Sequence, residues 1–316
     1  MRLPMCLVCY FLTVFVYSEG INLGKLDTEK HENLSISYLG KGFRIDSYLD
    51  SDNYSAYIPS SGLVIDSING KATEYQASVA NNRWVWFYRK LTFVFKDSTK
   101  TLSVFDKEDN MEAKINTDYI SSIEENESGE SFVIGRRNSG LVTVFDSCIR
   151  KLTSFSAFGR YTIRAFLENG NIYAIGCEDS DEKKILAKKF TTSGNLLSSK
   201  LYQPAPDPYR LRAIFDSKSK VVVVQDLKGD VAIYDFENTR EKFIPNLGFP
   251  IQIVEDNILY GIQGIEGQLF LMKYVLSSGD LKKELLARVP DYSADDDVAV
   301  FAKGKDLYYS LHEFER

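Results

Sequence analysis

Residues 141–147 read LVTVFDS, and about forty residues earlier residues 102–107 read LSVFDK. The same frame, an aliphatic opening and an aromatic or aliphatic residue just before Asp, recurs at residues 62–66 (GLVID) and 231–235 (VAIYD). Asp66, Asp106 and Asp146 stand forty apart, and degenerate copies fall at residues 186–190 (LAKKF) and 269–273 (LFLMK). Counting back one period from Asp66 reaches LGKLD at residues 23–27, for seven copies.

Each period holds short runs of Val, Ile, Phe, Tyr and Leu, such as TFVFK, NIYAIG and VVVVQ, bounded by turn-forming segments such as ENGN, SKSK and NSG. β-branched and aromatic residues between Gly, Asn, Asp and Ser clusters read as strands and turns, and helical periodicity is hard to find. A repeat of forty to forty-five residues containing four strands is the pattern of a β-propeller, in which each blade buries both faces against its neighbours. In blade 3 the strands are expected near residues 119–123, 131–134, 141–145 and 152–155, which makes LVTVFDS a third strand. Its Asp is expected to accept backbone N–H groups where the chain turns into the fourth strand. Seven blades are favoured, with six if LGKLD is accidental. The ring is expected to close by pairing N-terminal strands, LGKLD among them as a third strand, with the two C-terminal strands of residues 297–314.

Residues 1–20 combine Arg2, an apolar run of about 13 residues and the small residues Ser18 and Gly20, the make-up of a secretory signal peptide rather than a membrane span. Residues 21–316 then form a single propeller domain, secreted and extracellular. Removing Arg2 and Glu19 together leaves the net charge at −6, without a basic block, so neither nucleic acid nor a membrane is an expected partner. A monomer is expected. Removal of Cys6 and Cys9 leaves Cys148 and Cys177, too few for a disulfide scaffold. A secreted chain usually pairs two such cysteines, yet the strand order separates these by more than the roughly 7 Å between Cα atoms that a disulfide spans, so a bridge between them stays open. The sequons at Asn33, Asn53 and Asn126 fit an exported glycoprotein and map to the face bearing the loops between first and second strands, the bottom.

The opposite, top face is expected to carry Arg44, Arg83 and Arg160 at the starts of inner strands, with Tyr209, Arg210 and Tyr292 in the connections between blades. Arg136 and Arg137 occupy a loop between second and third strands, and Phe158 and Phe249 belong to the same rim. Arginine with tyrosine around a concave mouth suits a small anionic or aromatic ligand, because guanidinium pairs with oxyanions and stacks on rings. The competing role for these arginines is bridging neighbouring blades through carboxylates. Trp84 and Trp86 are expected in the inter-blade core. The acidic run DYSADDD at residues 291–297 reads as a solvated loop, since calcium loops usually space their ligands one in two around a turn glycine.

Catalytic signatures are missing. The two histidines, His31 and His312, fall on opposite faces, and no nucleophile elbow, phosphate loop, metalloprotease helix or dinucleotide fingerprint occurs. No cofactor and no metal is expected. The reading is a non-enzymatic, secreted ligand-binding propeller. Its alternatives are an extracellular protein-interaction module using the same loops and, third, a calcium-dependent lactonase-type hydrolase.

Overall fold

A computed structural model describes residues 21, 26–77, 83–178, 185–202, 211–237, 240–265, 267–286 and 296–313. Among the described residues, twenty-eight strands form seven four-stranded sheets, with one short 3-10 turn at Asp97–Thr99. The protein is a seven-bladed β-propeller. The signal-peptide segment, residues 1–20, lies outside the described residues.

The strand sequences follow their place in the blade. Second and third strands are covered on both faces by neighbouring blades, so they read as unbroken apolar runs such as Val221–Gln225 and Val231–Asp235, buried along nearly their whole length. Fourth strands have one face to solvent and alternate, as Lys151–Ser156 does. The six repeats from GLVID to LFLMK all fall on third strands: Leu63–Ile68, Thr101–Phe105, Leu141–Asp146, Ile185–Thr191, Val231–Asp235 and Gln268–Val275.

One buried apolar cluster fills each seam between blades. Phe93, Phe95 and Phe132 join blades 2 and 3, Tyr173 and Val222 join 4 and 5, and Leu307 and Leu271 join the closing blade to blade 6. The seam between blades 1 and 2 is the thinnest: among the described residues its buried cluster consists of Val85, Phe87 and Val94. Asp66 reinforces it. This carboxylate is 2 % exposed, accepts the Ser55 hydroxyl at 2.7 Å and lies 3.0 Å from Nε of Arg83 on the next blade.

Asp66 therefore departs from the expected turn role: it pairs with Thr73 inside the ladder, two residues before the strand ends. Asp106, Asp146 and Asp235 do act as turn acceptors. Asp106 and Asp146 each take two backbone N–H groups, from Glu108 and Asn110 and from Cys148 and Arg150, and Asp235 takes that of Glu237.

Ring closure uses N-terminal strands as expected, with a different order and direction. Asp27–His31 is the outermost strand and Leu34–Lys41 occupies the third place, running parallel to Asp306–Glu313 with Ile36 opposite Leu307. LGKLD is thus not a third strand: residues 23–25 lie outside the described residues, and Asp27 opens the outermost strand. The parallel pairing follows from geometry. Leu34–Lys41 must finish at the top, where Gly42 and Phe43 lead into the descending inner strand Arg44–Asp50 of blade 1. It therefore rises alongside the second strand, whereas an ordinary third strand descends.

The hairpin turn between these strands is pinned to blade 6. Glu32 accepts the Tyr260 hydroxyl at 2.9 Å and Lys273 Nζ at 3.2 Å, while Glu284 takes Lys273 at 2.9 Å and His31 at 3.1 Å. Cys148 is exposed and Cys177 buried, and no disulfide joins them, so the bridge that the sequence left open is not formed.

Candidate functional site in the central channel

The seven inner strands wall the channel, and their ends are chemically unlike. At the top, Arg44, Arg83 and Arg212 open the strands of blades 1, 2 and 5, and Arg160 immediately precedes that of blade 4. At the bottom the strands finish on Asp50, Glu125, Glu168, Asp216 and Glu255, with Phe87 and Lys303 completing the set. The sequence thus builds a channel with an arginine-rich end and a carboxylate-rich end.

Most of these charges are locally satisfied. At the bottom, Glu168 lies 3.9 Å from Lys220, Asp216 accepts the Lys218 backbone N–H and the Ser219 hydroxyl, and Glu255 pairs with Lys305. At the top, Arg83 is committed to Asp66 and also lies over the Tyr75 ring, which is the blade-bridging role weighed for the arginines. Arg44 is bound to Asp46 at 2.9 Å and lies over Tyr57. Arg136 is 3.6 Å from Asp118, and exposed Arg137 donates its backbone N–H to Tyr119. Arg160 sits on the rim with its backbone N–H on the Cys177 carbonyl. Tyr209, Arg210 and Tyr292 fall outside the described residues, as do residues 291–295 of the acidic run. Phe158 and Phe249 are core residues, 1 % and 3 % exposed, not rim contacts.

The loop-centred reading of the sequence passed over two arginines of the inner strands, Arg164 in mid-strand and Arg212 at a strand start. Arg164 lies in the middle of Tyr161–Glu168, where a register shift bulges the strand. Its Nε donates to Glu124 of blade 3 at 2.6 Å and its Nη1 to the Ala213 carbonyl of blade 5 at 2.6 Å, so one side chain ties three blades together. The side chain keeps 39 % exposure although protein surrounds it, as expected of a residue facing the lumen. Burial opposes its charge, yet the Glu124 carboxylate outweighs that and holds the guanidinium firmly protonated. Tyr88 joins the group: its hydroxyl donates to the Ile123 carbonyl, and burial, with Glu124 nearby, pushes its ionisation well above the usual phenol range.

Arg212, the residue before Ala213, differs from the others. It is exposed on an inner strand, its side chain makes no hydrogen bond or ion pair among the described residues, and burial alone pulls its pKa down. Arg164 and Arg212 each stand four residues before the acid that ends their strand, in the matching segments RAFLE and RAIFD.

Trp84, expected in the core, is 43 % exposed on the inner strand of blade 2 and stacks on Phe95 at 5.7 Å. The indole is large, and its place near the channel mouth leaves one face without a blade to cover it. Trp86 does pack against the seam between blades 2 and 3. At the bottom mouth, Lys303 Nζ donates to the Phe87 carbonyl at 3.0 Å, and burial, opposed by Glu125 and Asp50, lowers its pKa to about 8. His31 and His312 lie at opposite ends of the closing blade. Among the described residues no three His, Cys, Asp or Glu side chains converge on a common point as metal ligands. The sequons all lie on the bottom face: Asn33 in the N-terminal hairpin turn, Asn53 opening the second strand of blade 1, and Asn126 in the first turn of blade 3.

No protein-family model and no curated protein matches the chain. Solved structures resemble it in shape. A computationally designed protein, Ika8, superposes with a TM-score of 0.52 at 12 % identity over 84 % of this chain and 83 % of its own. Hydrazine synthase of Kuenenia stuttgartiensis does so with a TM-score of 0.51 at 14 % identity over 75 % of this chain and 78 % of its own. At such identities the likeness extends to the fold alone.

Proposed function

We propose that the protein is a secreted, non-enzymatic binding propeller that takes a small anionic or aromatic ligand at the arginine-rich end of its channel. The observation that carries this reading is the polarity of the inner strands, which open on arginine in blades 1, 2 and 5 and finish on carboxylate in five blades. A cleft lined by one sign of charge between low-dielectric walls concentrates ligands of the opposite sign. The sequons on the opposite face support the same direction of approach, since sugars there leave the top open.

The test is a thermal-shift panel of small anions, cations and neutral aromatics, run on wild type and on Arg160→Glu and Arg210→Glu. Anions should raise the melting temperature of wild type, and the reversals should abolish the shift. A panel dominated by cations would end the proposal.

A second reading, an extracellular protein-interaction module, is supported by apolar side chains exposed on fourth strands, among them Leu152, Leu197, Phe243 and Leu285. Capture of one defined partner from extracellular fluid, with no small-molecule shift, would favour it.

A further inference from the structure

Lys303, which ends the inner strand of the closing blade, is partnered unlike the other lysines withdrawn from solvent. Lys188, Lys189, Lys220 and Lys273 each face a carboxylate. Among the described residues Lys303 has no ion-pair partner: its Nζ donates to the Phe87 carbonyl of blade 2 at 3.0 Å and lies 5.9 Å from the centroid of the Tyr88 ring. A carboxylate would hold the amine in its charged form. A carbonyl accepts an N–H from the neutral amine as well as from the ammonium, and the neutral amine keeps a lone pair. Two carboxylates act on this amine from a distance, Glu125 at the end of the inner strand of blade 3 and Asp50 at that of blade 1, with Arg89 opposing them. Asp50 is occupied by its own turn, through the Asp52 backbone N–H and the Asn53 amide. Glu125 is not: its Oε1 is buried without a hydrogen-bond partner among the described residues, and Lys303 is the charge that acts on it most strongly. Burial also lifts its carboxyl above the usual range, so it keeps a proton to higher pH than an exposed glutamate.

We propose that Lys303 is a covalent amine site at the bottom mouth of the channel, which captures small aldehydes as an imine with Glu125 as the proton donor. The site goes beyond the proposed binding function and lies at the opposite end of the channel. The Nζ lone pair forms a C–N bond with the aldehyde carbon, while the carbonyl π pair moves onto oxygen, which takes up one proton from the amine. The C–O bond of this carbinolamine then breaks. Glu125 gives its proton to the departing oxygen, which leaves as water, and the nitrogen lone pair closes the C=N bond. The products are a protonated imine, one water and the Glu125 carboxylate, which then faces the cation it helped to form. No oxidant or reductant is consumed. The half-buried setting of Lys303 favours aldehydes over ketones, whose second carbon substituent crowds the carbinolamine.

The experiment incubates the full secreted chain near neutral pH with propanal or benzaldehyde and cyanoborohydride, which reduces an imine to a stable amine, and maps the adducts by peptide mass spectrometry. Lys242 is the internal control. It also donates to a carbonyl, that of Leu276, and lies over a ring, that of Tyr274, but it is exposed. Adducts should form at Lys303 at least about ten-fold faster than at Lys242, because an amine titrating near the pH of the experiment is neutral far more often than an ordinary lysine. This comparison is made within one folded chain and is decisive: equal rates at the two lysines overturn the site. Glu125→Gln should slow imine capture at Lys303 at least about ten-fold, the contribution of a positioned proton donor. The same variant should leave acylation of Lys303 by acetic anhydride, which needs no proton donor, undiminished. Acylation slowed as much as imine capture overturns the role of Glu125.

Discussion

Lys273→Met is the substitution that most directly probes closure of the ring. Lys273 is 8 % exposed on the third strand of blade 6 and holds Glu284 at 2.9 Å and Glu32, in the N-terminal hairpin turn, at 3.2 Å. Methionine keeps the length and the apolar stem but removes the charge. The two carboxylates keep 55 % and 49 % exposure, so water takes over much of what the ammonium supplied. The loss should then fall between that of an exposed pair and that of a fully charged hydrogen bond, about 1–2 kcal/mol at pH 7.

The pH dependence gives a second readout. Hydrogen bonds from Tyr260 and Lys273 hold Glu32 below the usual carboxylate range, and Lys273 with His31 does the same for Glu284. Because these folded-state values lie below the unfolded ones, the stabilisation is complete above about pH 4.5 and disappears as pH falls through the depressed values. Lys273 itself is raised by the two glutamates, against its burial, so its contribution is lost only above the ordinary lysine range. Urea titrations followed by Trp84 and Trp86 fluorescence at pH 7, 5 and 3.5 should show a lower midpoint for the variant at pH 7 and convergence with wild type in acid. Hydrogen exchange should rise first in residues 27–41. An unchanged midpoint at pH 7, or an acid-side slope as steep in the variant as in wild type, refutes this account.

Asp66→Ala strands Arg83 and the Ser55 hydroxyl at the thinnest seam and should lower stability by about 2–3 kcal/mol, below the full value for a buried pair because Arg83 is 23 % exposed. A denaturant midpoint equal to that of wild type would rule it out. Gly140 adopts φ +61°, and a Cβ there would lie 2.1 Å from the Phe158 carbonyl oxygen. Gly140→Ala should therefore cost more than about 3 kcal/mol and yield largely insoluble protein; a soluble variant melting with wild type would disprove the clash. At pH 8 an acylating reagent should modify Lys303 out of proportion to its exposure when compared with Lys107, since about half of it is neutral there. Equal labelling per exposed amine, read by peptide mass spectrometry, would contradict the shift. Cys148 should react with a thiol reagent in the folded protein and Cys177 only after denaturation. Rapid labelling of Cys177 would show that its blade opens.

The six third strands were readable because their apolar cores and flanking turns recur at a fixed spacing, and both follow from covering a sheet on two faces. The closing strand was not. Leu34–Lys41 carries no Asp and runs opposite to an ordinary third strand, and a period counted along the chain carries no information about direction. Asp66 copies the repeat in sequence yet is buried, because its partner Arg83 comes from the next blade. The arginine-rich end was legible as an end, from strand starts and loops. Arg164, within a strand, and Arg212, the first residue of one, were both missed, although RAFLE and RAIFD share Arg-Ala and each closes on an acid. Repetition of a charged residue inside an inner strand was the available signal.

The closing hairpin also sets the order of events during synthesis. Leu34, Ile36 and Leu39 leave the ribosome among the first residues of the ring, while their partners Leu307, Tyr309 and Phe301 leave among the last. Until then three apolar side chains and an open strand edge have nothing of their own to pair with. Contacts of such sequence separation form slowly and leave unfinished chains prone to associate. The ring therefore closes only after the strand Asp306–Glu313 has been made, and until then the N-terminal hairpin has no third-strand partner.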